Sequence, residues 1–290
     1  MDKILAALDR AWHEPEGAQA LRSLANAPEL PAGAPAPPKE IAYARTRVIP
    51  VSPEALRERH IALGGTDPLA NAFKLLSAQV LLRMREGGWR TLAITSPGDH
   101  AGKTVVAVNL AISLAREVDH TVLLVDADLR YPRVAEYLGL GLADERGLVD
   151  HLVGKAPIEG LLVHPAIGHL VVLPGAGSLP NSAELVRSPA MAALVRELKS
   201  RYDNRIVIFD LPPVLSTADA LAFSPLVDAA LLVVEECATP RDDVRRACEL
   251  LGSTNLVGVV LNKSRAPVAR PYRSRQESGS RLWHRAHSDV

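Results

Sequence analysis

The feature that most restricts this chain is an alternation running from Thr91 to Asn262. Short, almost purely apolar runs (TLAITS, TVLLVDAD, HLVVLPG, RIVIFDLPP, AALLVVEE, LVGVVLN) are separated by longer stretches with helical spacing. The runs carry Val, Ile and Leu without polar alternation, which is what a strand covered on both faces requires. Strands of that kind linked by helices make a parallel sheet sandwiched between helical layers. The first linking segment, VVAVNLAISLA, is apolar on nearly every side, so it should lie deep against the sheet. Further helices are expected over 190–202, near 218–224 and from about 241. Upstream, Asp67 and Pro68 form a helix start, with a side-chain acceptor at the cap and proline where no donor is lost; that helix should run to about Arg85.

Outside this region the composition changes. Ile4, Leu5, Leu8 and Trp12 share one helical face over residues 2–12, and Pro31, Pro35, Pro37 and Pro38 follow in a segment that cannot continue a helix. After Lys263 six arginines stand against Glu277 and Asp289 with few aliphatic residues, the composition of a basic, disordered tail. The expected organisation is an N-terminal helix and Pro/Ala-rich linker over 1–45, an α/β domain over 46–263 and the tail over 264–290. Lys+Arg and Asp+Glu both number 33, so no global field gathers nucleic acid or an anionic membrane, and no nucleic-acid partner is expected. The apolar stretches are broken by Asn109, Asp128 or Asp228 within ~18 residues, too short for a membrane span. Only Cys237 and Cys248 occur, at a spacing that fits neither a bridge nor a metal, and a reducing compartment is expected.

The chemistry concentrates at three strand ends. Ser96, Pro97, Gly98, Asp99, His100, Ala101, Gly102, Lys103 and Thr104 follow one predicted strand and open a predicted helix, the context of a phosphate-binding P-loop. Backbone N–H groups would surround the phosphates, Lys103 would bridge the outer ones, and Thr104 would ligate Mg²⁺. The usual first glycine of such a loop is Pro97 here, with Gly98 one place later. In VLLVDADLRYP, Asp126 and Asp128 end the next strand and should point the same way at a two-residue repeat. They suit Mg²⁺-water ligation and deprotonation of an incoming hydroxyl; helix capping would explain one of them. In IVIFDLPPVLSTADA four apolar residues end in Asp210, the Walker B pattern that holds a metal. Asn262, ending GVVLNK, is placed to read a base or to form a turn. Arg130 would contact phosphate or pair with Asp126 or Asp128, and Glu235 and Glu236 should face solvent.

This set resembles the bacterial tyrosine autokinases of polysaccharide export, most closely the branch that accompanies exosortase systems. The resemblance spans about residues 40–263 and rests on ITSPGDHAGKT, VDADLRYP followed by YLGL, GLVDHLVG, LPNSAELVRSP and IFDLPPVLSTADALAF in order, with MDKILAALDRA at the start. It implies a P-loop NTPase fold shared with the septum-positioning ATPases. It implies transfer of the ATP γ-phosphate to tyrosines, with ATP and Mg²⁺ as cofactors. Lys103 and Thr104 would be the Walker A pair, Asp126 and Asp128 the Walker A′ acids and Asp210 Walker B; Thr104, Asp126 and Asp210 would surround the metal. A membrane-embedded chain-length determinant would be the partner, a homo-oligomer possible, and the location cytoplasmic at the inner face of the membrane. A tyrosine hydroxyl, with a reference pKa of ~10, needs a base nearby, for which Asp126 is the candidate.

Differences from the family are also legible. Where it carries Glu-x-x-Arg-x-x-Arg for ring assembly, this chain has Asn71, Lys74 and Ser77, and its tail offers Tyr272 as sole acceptor. Two other readings follow: a regulatory subunit that binds nucleotide with little turnover, and an ATPase switch like the partition proteins. The latter use a signature lysine where Gly98 stands.

Overall fold

The computed structural model describes residues 46–265, apart from 65–66, 118–119, 143–145, 176, 180–181 and 202–203. The segment 2–12, the Pro/Ala linker and the tail bearing Tyr272 lie outside the described residues. The elements in chain order are β1 (Arg47–Val48), α1 (Pro53–Glu58), α2 (Pro68–Gly87), β2 (Thr91–Thr95), α3 (Lys103–Ala115), β3 (Thr121–Asp126), α4 (Val134–Tyr137), α5 (Leu148–Leu152), β4 (Val163–His164), β5 (Leu170–Leu173), α6 (Ser182–Val186), α7 (Pro189–Ser200), β6 (Arg205–Asp210), α8 (Ala218–Phe223), β7 (Ala229–Glu235), α9 (Arg241–Leu250) and β8 (Asn255–Asn262).

The strands form one sheet in the order β1-β4-β5-β3-β6-β2-β7-β8. All pairings are parallel except β4 with β5. The six apolar runs are the six longer strands. β1 and β4 were not foreseen, because two-residue strands carry no periodicity. Alternate strand residues feed separate cores. Leu92, Ile94, Leu124 and Ile208 pack with α2 and α3 on one face, while Ala93, Leu123, Val207 and Phe209 pack with α7, α8 and α9 on the other. Phe209 and Phe223 meet at 4.9 Å between ring centroids on the second face. Helix α3 is buried along almost its whole length. Asn109, its one strongly polar interior side chain, accepts from Ala62 N at 2.8 Å and donates to His60 O at 3.0 Å, tying the segment before α2 to the core.

Helix α2 starts as its sequence dictates. Asp67 accepts from Leu69 N at 2.9 Å, Pro68 holds the first position, and Gly88 in the left-handed region ends the helix two residues later than expected. Ser77 is fully buried on it and bonds Ser113 at 3.0 Å, whereas Asn71 and Lys74 are exposed. The three positions of the family's assembly pattern therefore do not share one exposed face here. Two further expectations need correction. β8 lies at the edge of the sheet, paired with β7, and is only partly buried. Glu235 and Glu236 do not simply face solvent: Glu235 pairs with Lys263 at 2.9 Å, and Glu236 accepts from Ser264 Oγ at 3.2 Å and Arg265 N at 2.6 Å.

Candidate functional site

β2 lies between β6 and β7, and β3 lies beyond β6, so the carboxyl ends of β2, β6 and β3 stand side by side. Open α/β sheets bind ligands at this edge. The chain leaves β2 through residues 96–102 and enters α3 at Lys103. Gly102 caps that helix with φ of +86°, and it offers no side chain to the first-turn N–H groups. Those donors are left open, and with the helix dipole they favour an anion. A Cβ on Gly102 would collide with Asn262 Nδ2. His100 holds φ of +63°, is exposed and lines the cavity that contains Lys103 and Thr104.

The loop is held from both sides. Val214 N donates to Ser96 O at 2.8 Å and Leu215 N to Pro97 O at 3.2 Å, which brings in the segment after β6. Ser96 Oγ donates to Gly98 O at 2.6 Å. On the other side Asn262 Nδ2 donates to Ala101 O at 2.9 Å. Asn262 thereby clamps the loop from the end of β8.

The predicted acids converge on Lys103 and Thr104. Lys103 Nζ pairs with Asp128 Oδ2 at 2.8 Å, and Thr104 Oγ1 donates to Asp210 Oδ2 at 2.6 Å. Asp126 and Asp210 are register partners on β3 and β6. The two-residue repeat does not account for Asp128, because β3 ends at Asp126. Asp128 lies in the following turn, where it also accepts from Tyr131 N at 3.1 Å. Asp126 Oδ2 accepts from Val134 N at 2.9 Å at the start of α4, so one oxygen does serve a helix end. Arg130 bonds neither acid. It pairs with the buried Asp219 at 3.2 Å, and Asp219 also accepts from Ser182 Oγ. Asp219 stood inside a quoted motif but gave no signal of its own, being one acid at a helix start.

Electrostatics follow from burial. Burial pulls the Lys103 ammonium down, but the carboxylates of Asp210, Asp128 and Asp126 outweigh it and leave its pKa above the ordinary value. Burial pushes Asp126 well up, reinforced by the charge of Asp210. It also raises Asp210, against Lys103 and the Thr104 hydroxyl. Asp126 Oδ1 and Asp210 Oδ1 are buried without a partner. Two unpartnered carboxylate oxygens beside a threonine hydroxyl fit a hard divalent cation, whose remaining positions would go to phosphate oxygens and water. Among the described residues no group of three acid, histidine or cysteine side chains could cage a metal unaided.

Two adjoining cavities open here. One of about 530 Å³ contains Lys103, Thr104, Asp128 and Lys263; the other, of about 610 Å³, has Asp126 in its wall, and Tyr131 and Arg133 border both. Sequence reasoning missed Arg133 and Tyr137, which cap and end α4, and Lys263, which follows β8; each is a single residue with no motif of its own.

Known proteins resemble this chain over the α/β region. Residues 90–238 match a family model described as an AAA domain. The tyrosine-protein kinase YwqD of Bacillus subtilis is 35% identical over 175 residues, 60% of this chain and 72% of that protein. The succinoglycan biosynthesis transport protein ExoP of Rhizobium meliloti is 36% identical over 180 residues, 60% of this chain but only 22% of its own length. Among solved structures, the kinase domain of the Escherichia coli tyrosine kinase ETK superposes with a TM-score of 0.64 at 26% identity, over 79% of this chain and 91% of that one.

Proposed function

The chain belongs to the bacterial tyrosine autokinases, and from that premise we propose that it binds Mg·ATP at the carboxyl edge of β2 and passes the γ-phosphoryl group to a tyrosine hydroxyl. The observation that carries this reading is the convergence of Lys103, Thr104, Asp126, Asp128 and Asp210 beneath a helix whose first N–H groups are open. On binding, the triphosphate replaces Asp128 as the partner of Lys103, and the first turn of α3 donates to its oxygens. Thr104, Asp126 and Asp210 would hold Mg²⁺, which supplies charge neutralisation of the phosphates. Asn262 keeps the loop in its phosphate-accepting shape through Ala101 O.

The acceptor hydroxyl approaches from the cavity walled by Asp126. Its oxygen forms the new bond to the γ-phosphorus while the bond to the bridging oxygen breaks and ADP leaves. The phenolic proton passes to the Asp126 carboxylate. Tyr272 is the acceptor that the sequence offers within this chain. A membrane-embedded chain-length determinant of polysaccharide assembly is the proposed partner, placing the kinase at the inner face of the membrane. Among the described residues no helix is long and apolar enough to cross a membrane.

Incubation with γ-labelled ATP, with and without the cytoplasmic end of that partner, tests the reading. Phosphotyrosine should form and disappear in Lys103→Met. A wild-type chain that binds Mg·ATP yet labels no tyrosine would leave only a nucleotide-binding regulator.

A further inference from the structure

The phosphate loop is approached from the side of β8 as well as from the side of β3. Asn262, the last residue of β8, comes so close that a Cβ on Gly102 would meet its Nδ2, and it is tied to Ala101 O. Lys263 follows with φ of +56°, a left-handed backbone that a lysine adopts only at a cost. It lines the cavity that also contains Gly102, Lys103, Thr104 and Asp128. Its ammonium is nevertheless paired with Glu235 Oε2 at 2.9 Å, at the end of β7. That pair is open to water, the two side chains being 47% and 25% exposed. Solvent makes such a pair weak, so a polyanion entering the cavity can draw the lysine away from it. The backbone around Lys263 has anchors of its own: Glu236 N donates to Asn262 O at 3.0 Å, and the Glu236 carboxylate accepts from Ser264 Oγ and Arg265 N.

Resting on the nucleotide site of the reading above, we propose that Lys263 is a second phosphate-binding lysine, held by Glu235 in the nucleotide-free chain, and that it takes the phosphate nearest the nucleoside. Strand order decides which phosphate. Asp126 and Asp210, the acids fitted to a cation, end β3 and β6 on one side of β2, whereas β7 and β8 lie on the other. A metal ion in such sites bridges the two outer phosphates. Those two therefore belong on the β6 side, and the inner phosphate and nucleoside extend toward β8, where Lys263 stands. Lys103, paired with Asp128, serves the outer end. The two lysines thus meet different parts of one ligand, and the part Lys263 meets is common to ADP and ATP.

The test is calorimetry on the full-length chain, measuring the Kd of Mg·ADP and of Mg·ATP for wild type, Lys263→Gln, Lys263→Gly and Glu235→Gln. Glycine suits a left-handed backbone, so Lys263→Gly removes the side chain without straining the turn. Thermal unfolding without nucleotide identifies the variants that fold as wild type does; should a Lys263 variant melt early, Glu235→Gln decides. Both Lys263 variants should weaken the two nucleotides by the same factor, roughly fivefold. Glu235→Gln should tighten both roughly twofold, because Lys263 no longer has to leave a carboxylate. A pair that only braced the fold would give the reverse, weaker binding in Glu235→Gln. Unchanged affinity in the Lys263 variants, a loss confined to Mg·ATP, or no tightening in Glu235→Gln overturns the proposal. A wild-type chain that binds neither nucleotide overturns it together with the nucleotide site. The expected pattern in a chain that labels no tyrosine upholds the role of Lys263 and removes only the kinase reading.

Discussion

Replacing Asp126 by Asn should make the nucleotide-free protein more stable at pH 8 while removing its capacity to bind Mg·ATP tightly. The side chain is fully buried, with Oδ2 on Val134 N and Oδ1 on nothing, and its neighbour across the strand pair is Asp210, whose Oδ1 is also unpartnered. Burial first, and the Asp210 charge second, raise the Asp126 pKa. The folded protein therefore keeps a proton that the unfolded chain releases at about pH 3.9. Because the native state binds more protons, stability falls as pH rises from the unfolded value through the folded one, and the whole penalty is present above it. Asparagine has the same shape, can still accept from Val134 N, and places an N–H donor where it can meet Asp210. An unsatisfied buried polar group costs about 1–3 kcal/mol, and for a domain of this size each kcal/mol moves Tm by about 2–4 °C. Thermal unfolding without nucleotide should show a gain of that order at pH 8 and a much smaller one near pH 4.5, with calorimetry showing weakened Mg·ATP binding. A variant less stable than wild type at pH 8, or a gain independent of pH, would refute the account of the acid pair.

Asn262→Ala removes the clamp on Ala101 O, and calorimetry should show Mg·ATP binding weakened by up to about tenfold, the equivalent of one hydrogen bond. Asp228 accepts from Arg90 N at 2.9 Å, Thr91 N at 3.1 Å and Thr91 Oγ1 at 2.9 Å and pairs with Lys199. Burial opposes its ionisation, but these partners outweigh it and hold its pKa below the ordinary value. Its contribution is therefore complete above the unfolded pKa and lost as pH falls through the folded one; Asp228→Ala should lower stability by about 1–3 kcal/mol at pH 7 and by much less near pH 3 in urea titrations. Because His100 sits at φ of +63°, His100→Gly should leave Tm within a degree or two, whereas the β-branched His100→Val should destabilise by about 1–2 kcal/mol.

The sheet was legible because its strands are buried on both faces, and continuous aliphatic runs such as RIVIFD have little alternative. The P-loop and Asp210 were legible for a related reason: a glycine-bearing turn before Lys103 and Thr104, and an acid at the end of an apolar run, are local patterns. Asp126 was legible as a strand end. Asp128 was placed at the same edge by reasoning that the turn after β3 then replaced. The exposed edge of β8 was invisible, since position in a sheet is not written in a strand's own residues.

What the sequence determined alone is therefore whatever depends on neighbours within a few residues: apolar runs, helix starts such as Asp67-Pro68, and the loop from Ser96 to Thr104. Tertiary structure alone decided which distant groups meet. Arg130 pairs with Asp219, 89 residues on, rather than with the adjacent acids, and Asn262 closes over Ala101, 161 residues away. Partners of that kind are chosen by the crossing of helices and the order of strands. Their chemistry becomes visible only once burial has removed the competing water and fixed the distances between them.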